Sequence, residues 1–474
     1  MGAGKWAKKK SFARLAWRGG ARAKYPMALS NTDQSNYYDF LRFATVSADP
    51  ARAQTMRECA TWLAGKFREM KMDSEIVATP GAPVVLAKWS KGGTAKRRTV
   101  LIYGHYDVQP AEMGDGWTGD PFEPRLIDGM VVARGSTDNK GQIFAHMMGV
   151  AEKIQAGGPE TDVIFLVEGE EEVGSDNLEA VLHSRKEELA CDVAVISDTN
   201  MAGPDKPTLT YGLRGISALE VELTGPSHDL HSGVYGGAVV NPITVLTRLL
   251  AGLHHPTGQV AVPGFYKKVR KVAAWERKAA KALGVPDAEV RRQAGSPALG
   301  GERGFSAIER IGMRPTAEIN GITGGYQGPG PKTVLPSKAS AKLTFRLVPH
   351  QDPKEIADLV EKDLKKRCPK TVKLKVTRHH GGFPYFCDPT KGFGPAASKA
   401  LSQAWGGKRV DYLLEGGTIP IVSVIKKVLG VETMLVGLSL PDCRAHGPDE
   451  TFPIKYLERG AKMNQALLRE IAAA

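Results

Sequence analysis

The run Val163-Ile164-Phe165-Leu166-Val167, followed at once by Glu168-Gly169-Glu170-Glu171-Glu172-Val173-Gly174, carries the reading of this sequence. Five consecutive apolar residues offer no wet face, so they predict a strand buried on both sides, as in a parallel sheet. The acids behind them repel one another, and the flanking Gly169 and Gly174 predict a tight turn set by the backbone. An acidic surface loop would explain three carboxylates as solvated charge. A strand that delivers them to the edge of a sheet favours a site instead.

Working outward, Val100 to Tyr103, Val193 to Ile196 and Met434 to Val436 are similar short apolar runs between polar or Gly-rich turns. A helical pattern over Gln142 to Gln155 stops at Gly157-Gly158. Alternating strands and helices predict an α/β architecture built on a mostly parallel sheet. After Tyr211 the character changes. Ser217 to Leu223 and Ser340 to Leu347 alternate polar and apolar residues, as strands with one wet face do. A basic helical stretch between them, Tyr266 to Leu283, is expected to decorate this second unit. Beyond Gly381-Gly382, the helical Gly392 to Trp405 and a last strand and helix resume the first pattern. The expected organisation is a basic N-terminal extension over 1–30 and a catalytic domain over 31–213 and 385–474. A smaller α+β domain over 214–384 interrupts it.

A chain of 474 residues is long enough for two or three domains. Its net charge of +13 points toward nucleic acid only until the charges are located. Eight Lys or Arg and no acid fall between Lys5 and Lys24, and the remainder carries about +5, unremarkable for its size. That leader fits an extension upstream of Met27, an Arg-rich transit peptide, or a segment for an anionic partner. Five scattered cysteines without CxxC spacing argue against a disulfide framework and suit a cytoplasmic protein. No apolar run is long enough to span a membrane.

The residues that could carry chemistry stand just past the buried strands, where ligands bind open α/β sheets. His105 is followed by Asp107, and a metal-bound imidazole usually donates its other N–H to such a carboxylate. Glu170 to Glu172 diverge in direction, so one can hold a metal while its neighbour serves as a base. Asp138, ahead of a helical run, could be a helix N-cap, for which Asp is well suited. Asp198 could end a strand in a turn, and His446 could be an exposed turn residue. Four acid or His groups at strand ends make a shared site the economical reading.

Gly104-His105-Tyr106-Asp107-Val108-Gln109-Pro110, Glu168-Gly169-Glu170-Glu171-Glu172-Val173-Gly174-Ser175 and Ala445-His446-Gly447-Pro448 resemble the zinc-site signatures of one metallopeptidase family. It is the family of carnosinase, cytosolic dipeptidase, glutamate carboxypeptidase, aminoacylase and succinyl-diaminopimelate desuccinylase. The resemblance runs from about residue 36 to the end, and with Asp229-Leu230-His231-Ser232-Gly233 it is nearest to the carnosinase-type dipeptidases. It implies that Asp138 bridges two zinc ions, with His105 and Asp198 completing one site and Glu172 and His446 the other. It further implies Glu171 as general base and Asp107 as the partner of His105. Asn139 departs from the Asp of some members. In the inserted domain the resemblance points to His231, reaching the site of a partner subunit, and to Thr333, Arg346 and His380 at the substrate. Gly416-Gly417-Thr418 is similar to the family's substrate-binding turn, usually Gly-Gly-Ser, which nominates Gly417 and Thr418.

The expected protein is therefore a homodimeric metal-dependent hydrolase, carrying two Zn²⁺ per chain with Mn²⁺ or Co²⁺ as substitutes. It would cut the amide bond of dipeptides or similar small substrates with a free carboxylate. A deacylase or desuccinylase of the same family differs only in what fills the amine-side pocket. A non-catalytic dimeric binding protein is the alternative of another class, against which the full ligand set and Glu171 speak. A nucleic acid binder would rest on the basic leader alone, with no recognisable module behind it.

Overall fold

The computed structural model describes residues 29–93 and 96–474. The basic extension expected over 1–30 lies, but for Leu29 and Ser30, outside the described residues.

The larger sheet has nine strands. Its centre is Asp162–Glu168, Thr99–His105, Val193–Ile196 and Thr433–Leu435, side by side in that order and all parallel. These are the four apolar runs of the sequence, and each is buried along nearly its whole length. The expectation of a mostly parallel sheet holds for this centre, while its flanks are mixed. On one side Val84–Trp89 runs antiparallel to Asp162–Glu168, and Asp73–Val77 runs antiparallel to Val84–Trp89. On the other side Thr208–Leu213 runs antiparallel to Thr433–Leu435, with Tyr385–Phe386 and Asp411–Glu415 pairing against it. The physical reason is connection length. Residues 78–83 suffice to turn between the first two strands, whereas a parallel neighbour needs a long crossover.

The crossover that follows Asp138 is the helix Lys140–Gln155, whose first eleven residues are all buried. It ends at Gly157 and Gly158, both with left-handed φ near +104° (105° and 103°). The C-terminal helix Lys455–Ala472 packs along it. Gly149 permits the close approach, because a Cβ there would stand 2.6 Å from the Ala461 carbonyl.

The smaller sheet is antiparallel, in the order Thr316–Gly324, Lys338–Leu347, Gly215–Thr224, Lys373–Gly382. Gly215–Thr224 alternates buried and half-buried residues from end to end, as its sequence predicts. Leu219, Val221, Leu223, Leu343 and Phe345 form one core with Leu246 and Leu249 of the helix Pro242–Ala251 and Val360 and Leu364 of Pro353–Arg367. Both helices begin the same way. Asn241 Oδ1 accepts the Ile243 N–H at 2.8 Å, Asp352 Oδ1 accepts the Lys354 N–H at 2.7 Å, and proline follows each cap. Each such cap contributes about 1 kcal/mol.

One expectation fails in this region. The basic stretch Tyr266 to Leu283 does not decorate the smaller sheet. Only Ala274–Ala282 of it is helical, and that helix packs on Asp411–Glu415 at the end of the larger sheet. Trp275 meets the Tyr211 ring edge-on at 4.9 Å, and Ala280, Met313 and Leu414 close a small core around them. Charge counting concealed this apolar face.

Candidate metal centre

The parallel strands end at one edge of the larger sheet, and their loops bring the candidate residues together there. His105 is the last residue of its strand and fully buried. Gly104 before it must lack a side chain, because a Cβ would sit 2.8 Å from Ile143 Cδ1 and 2.9 Å from Asn139 Oδ1. His105 Nε2 lies 3.1 Å from Asp138 Oδ1 and 3.9 Å from Asp198 Oδ2. The other oxygen of Asp138 lies 3.0 Å from His446 Nε2, which in turn is 3.4 Å from Glu172 Oε2. Two ligand groups result, His105–Asp138–Asp198 and Asp138–Glu172–His446, with Asp138 common to both. Asp138 does not cap the helix. The residue before Lys140 is Asn139, and the Asp138 carboxylate faces two imidazoles instead.

Asp107 is buried at the back of the site. Its carboxylate stands 3.3 Å from His105 Nδ1 and accepts the N–H of Glu171 at 3.2 Å and of Glu172 at 3.0 Å. The two glutamates start a short 3₁₀ turn, Glu171–Val173, closed by Gly174 at φ 107°. Glu172 belongs to a ligand group and Glu171 does not. Adjacent carboxylates therefore occupy different positions, as their divergent directions require.

The electrostatics of the site favour a bound cation. Burial, with Asp138 nearby, pushes Glu172 up to about 7 and Asp198 well above the usual carboxylate range. Burial also raises Glu171. Asp138 resists its own burial because His105 and His446 hydrogen-bond to it, holding it below the ordinary value. His446 is lifted to about 8, chiefly by Asp138. Burial opposes the charging of His105, but hydrogen bonds to Asp107 and Asp138 outweigh it and raise its pKa. The donor set is three carboxylates and two imidazoles. Oxygen with imidazole nitrogen suits zinc and its borderline neighbours, not calcium or magnesium, which take oxygen alone. The residues fit a pair of divalent ions.

Three further side chains complete the surroundings, and of these the sequence singled out only Asn139. Asn139 donates to Asp198 Oδ1 at 3.1 Å and to the Ser197 carbonyl at 2.6 Å, while its oxygen accepts the His105 N–H at 3.4 Å. An aspartate could not donate there. Gln109 donates to Glu172 Oε2 at 2.7 Å. Glu450, fully buried, accepts from the Asp138 backbone. Gln109 sat in plain view within the His105 motif, whereas Glu450 looked like any acid in a turn.

The residues expected at the substrate fall into two places. His231 pairs with Val334 in a two-stranded ribbon, is exposed, and accepts the Gly233 N–H on Nδ1 at 3.0 Å. Thr333 lies beside it, its carbonyl accepting the Ser232 N–H at 3.1 Å. Arg346 donates to Thr418 Oγ1 at 3.1 Å, next to Gly417, and the Thr418 hydroxyl donates to the Arg214 carbonyl. His380 belongs to the strand Lys373–Gly382, and its side chain lies outside the described residues.

Comparison with known proteins agrees with this geometry. The model of peptidase family M20/M25/M40 matches residues 101–470, and the chain belongs to that family. It is thus a metal-dependent peptidase. It is similar to the Cys-Gly metallodipeptidase DUG1 of Candida albicans, 33% identical over 393 residues that span 80% of this chain and 79% of the relative. The human Beta-Ala-His dipeptidase is 31% identical over 400 residues, 83% of this chain and 78% of that one. Among solved structures, the M20 family metallo-carboxypeptidase Sso-CP2 of Sulfolobus solfataricus superposes with a TM-score of 0.83 at 26% identity, over 94% of this chain and all (100%) of that chain.

Proposed function

We propose that this chain is a dipeptidase that cleaves small substrates with a free carboxylate, working with two Zn²⁺ ions for which Mn²⁺ or Co²⁺ can substitute. The observation that carries the reading is the pair of ligand groups sharing Asp138, with Glu171 half-buried beside them and outside both. When bound, two such ions lower the pKa of water and polarise the scissile carbonyl. His105 and Asp198 would hold one ion and Glu172 and His446 the other, with Asp138 available to both. Glu171 takes the proton of the attacking water on a carboxylate oxygen and returns it to the leaving nitrogen. Arg346 and Thr418, with the Gly417 turn, receive the substrate carboxylate, and a guanidinium suits that task by its forked geometry. His380 is assigned to the same substrate, and Thr333, beside His231, goes with that residue to the partner's site.

His231 is assigned to the site of a second subunit, where it stabilises the developing oxyanion. Its exposure supports this role. So does the edge strand Thr316–Gly324, which leaves Ile319 and Ile322 exposed, as Val234 and Tyr235 of the same unit are. We take residues 214–384 as this pairing unit and the rest as the catalytic domain. Five free cysteines, all buried or partly buried, support a cytoplasmic setting. Among the described residues no helix is long and apolar enough to cross a membrane.

The test is a direct one. Purified protein should hold two Zn²⁺ per chain and hydrolyse Cys-Gly or β-Ala-His, the dipeptides for which its relatives are named. Exhaustive chelation should abolish the activity and Zn²⁺, Co²⁺ or Mn²⁺ restore it. Full activity without metal ends the reading, and cleavage of N-acetyl amino acids in preference to dipeptides makes the protein a deacylase instead.

A further inference from the structure

Glu450 is fully buried, and both oxygens of its carboxylate are engaged. Oε1 accepts the backbone N–H of Thr137 at 2.8 Å and of Asp138 at 2.9 Å. Oε2 accepts the N–H of Gly135 at 2.9 Å and Nη1 of Arg134 at 2.7 Å. The same guanidinium extends Nη2 to the carbonyl of Gly447 at 3.2 Å and of Pro110 at 3.4 Å, and stacks over the Trp117 ring at 5.2 Å. One buried ion pair therefore ties together the loops that follow His105, carry Asp138 and carry His446. Neither residue belongs to a ligand group.

We propose that Glu450, together with Arg134, is a positioning residue that fixes Asp138 and His446 relative to each other so that both present their ligand atoms to one ion. The inference rests on the reading that these two residues hold metal. Four donors converge on two oxygens, so the carboxylate is required by count as well as by charge. Glutamine in the same pose turns an NH₂ group toward two N–H donors, whichever way its amide is flipped. Aspartate is one methylene too short to span both loops. Groups that orient metal ligands in this way typically change metal affinity 10- to 100-fold when lost.

The test measures metal retention. Wild type and Glu450→Gln, both loaded with Zn²⁺ and shown by circular dichroism to be folded, are titrated with a chelator. In parallel, the rise in melting temperature on adding Zn²⁺ to each metal-free protein is recorded. The variant should release metal at roughly 10- to 100-fold lower chelator concentration and show a smaller metal-induced rise. A residue that merely stabilised the fold would lower both melting temperatures and leave that rise unchanged. Equal retention and an equal rise in variant and wild type would overturn the proposal. If Glu450→Gln does not fold, Arg134→Lys keeps a cation opposite Glu450 but loses the Gly447 and Pro110 contacts. It should show a milder loss of retention, and wild-type retention in it counts equally against the proposal. A wild type that binds no stoichiometric metal instead defeats the reading of the site itself.

Discussion

Asp107 accepts the backbone N–H of Glu172 at 3.0 Å while its other oxygen stands 3.3 Å from the His105 ring. One carboxylate thereby sets the direction of two ligands from different strands. Asp107→Asn conserves the shape but turns an NH₂ group against a buried donor on one side or the other. Leaving such a donor unsatisfied costs about 1–3 kcal/mol, and losing the orienting acid should weaken metal binding about 10- to 100-fold. Thermal denaturation of the metal-free variant and chelator competition measure the two effects separately.

Glu171 and Glu172 are neighbours with different surroundings, and their amide variants should part accordingly. Glu171→Gln should keep its metal and lose about 10² to 10⁴ in kcat. Glu172→Gln should lose metal from one ligand group, with activity recovering in part at high Zn²⁺. Metal analysis beside steady-state kinetics decides the matter. Equal metal loss in both variants would mean that the roles are misassigned.

His146 predicts an acid limb in the stability profile. It is fully buried, Asn464 Nδ2 donates to its Nδ1 at 2.8 Å, and its Nε2 faces Ser197 Oγ at 2.8 Å, so the network assigns a neutral ring. Burial pushes its pKa from 6.5 down to about 4. The unfolded chain takes up this proton near 6.5 and the folded one only near 4, so between those values the unfolded state binds more protons. Stability due to this group is therefore complete above pH 6.5 and declines as pH falls toward 4, by at most about 3 kcal/mol. In His146→Gln the melting temperature should fall less steeply over that range. An unchanged slope would transfer the effect to another group.

His231→Ala should bind metal normally and lose roughly 10² to 10³ in kcat, as removal of one oxyanion donor does. Mixed with Glu171→Gln subunits, it should regain activity, because one site of each mixed dimer inherits both intact groups. Activity is measured on heterodimers isolated by dual affinity tags. If these stay as inactive as their parents, His231 does not act across an interface.

The central strands were legible because a strand buried on both faces has to be written as an unbroken apolar run. The strands of the smaller sheet were equally plain from their alternation. Flanking strands such as Asp73–Val77 and Asp411–Glu415 carry a mixed pattern, and the partner of the second, Thr208–Leu213, lies about 200 residues back in the chain. The helix Ala274–Ala282 was assigned to the wrong sheet because its lysines were more visible than Trp275 and Ala280. At the site, ligand types and spacings were readable, but what holds them was not. The bonds of Glu450 go to backbone amides more than 300 residues away in sequence, and a backbone donor leaves no mark in the residue it belongs to.

One row of the smaller sheet stands against the rest of the chain, where Arg346 and Gly382 approach Thr418. Thr316, Arg346, Ile216 and Gly382 are register neighbours across its four strands. Three residues before Thr316, Met313 is packed against Leu414 of the larger sheet. A tilt of the sheet about that row would have Arg346 on its axis. At the opposite end of the same strands, past Lys338 and Thr224, come Thr333 and His231. Eight residues of strand make a lever of about 27 Å, so a tilt of about 10° carries its tip about 5 Å. The guanidinium that would anchor a substrate carboxylate hardly moves in such a tilt. The imidazole proposed for a partner's site would sweep the full arc, so one rigid sheet could keep a constant grip at one end while opening and shutting a neighbouring site with the other.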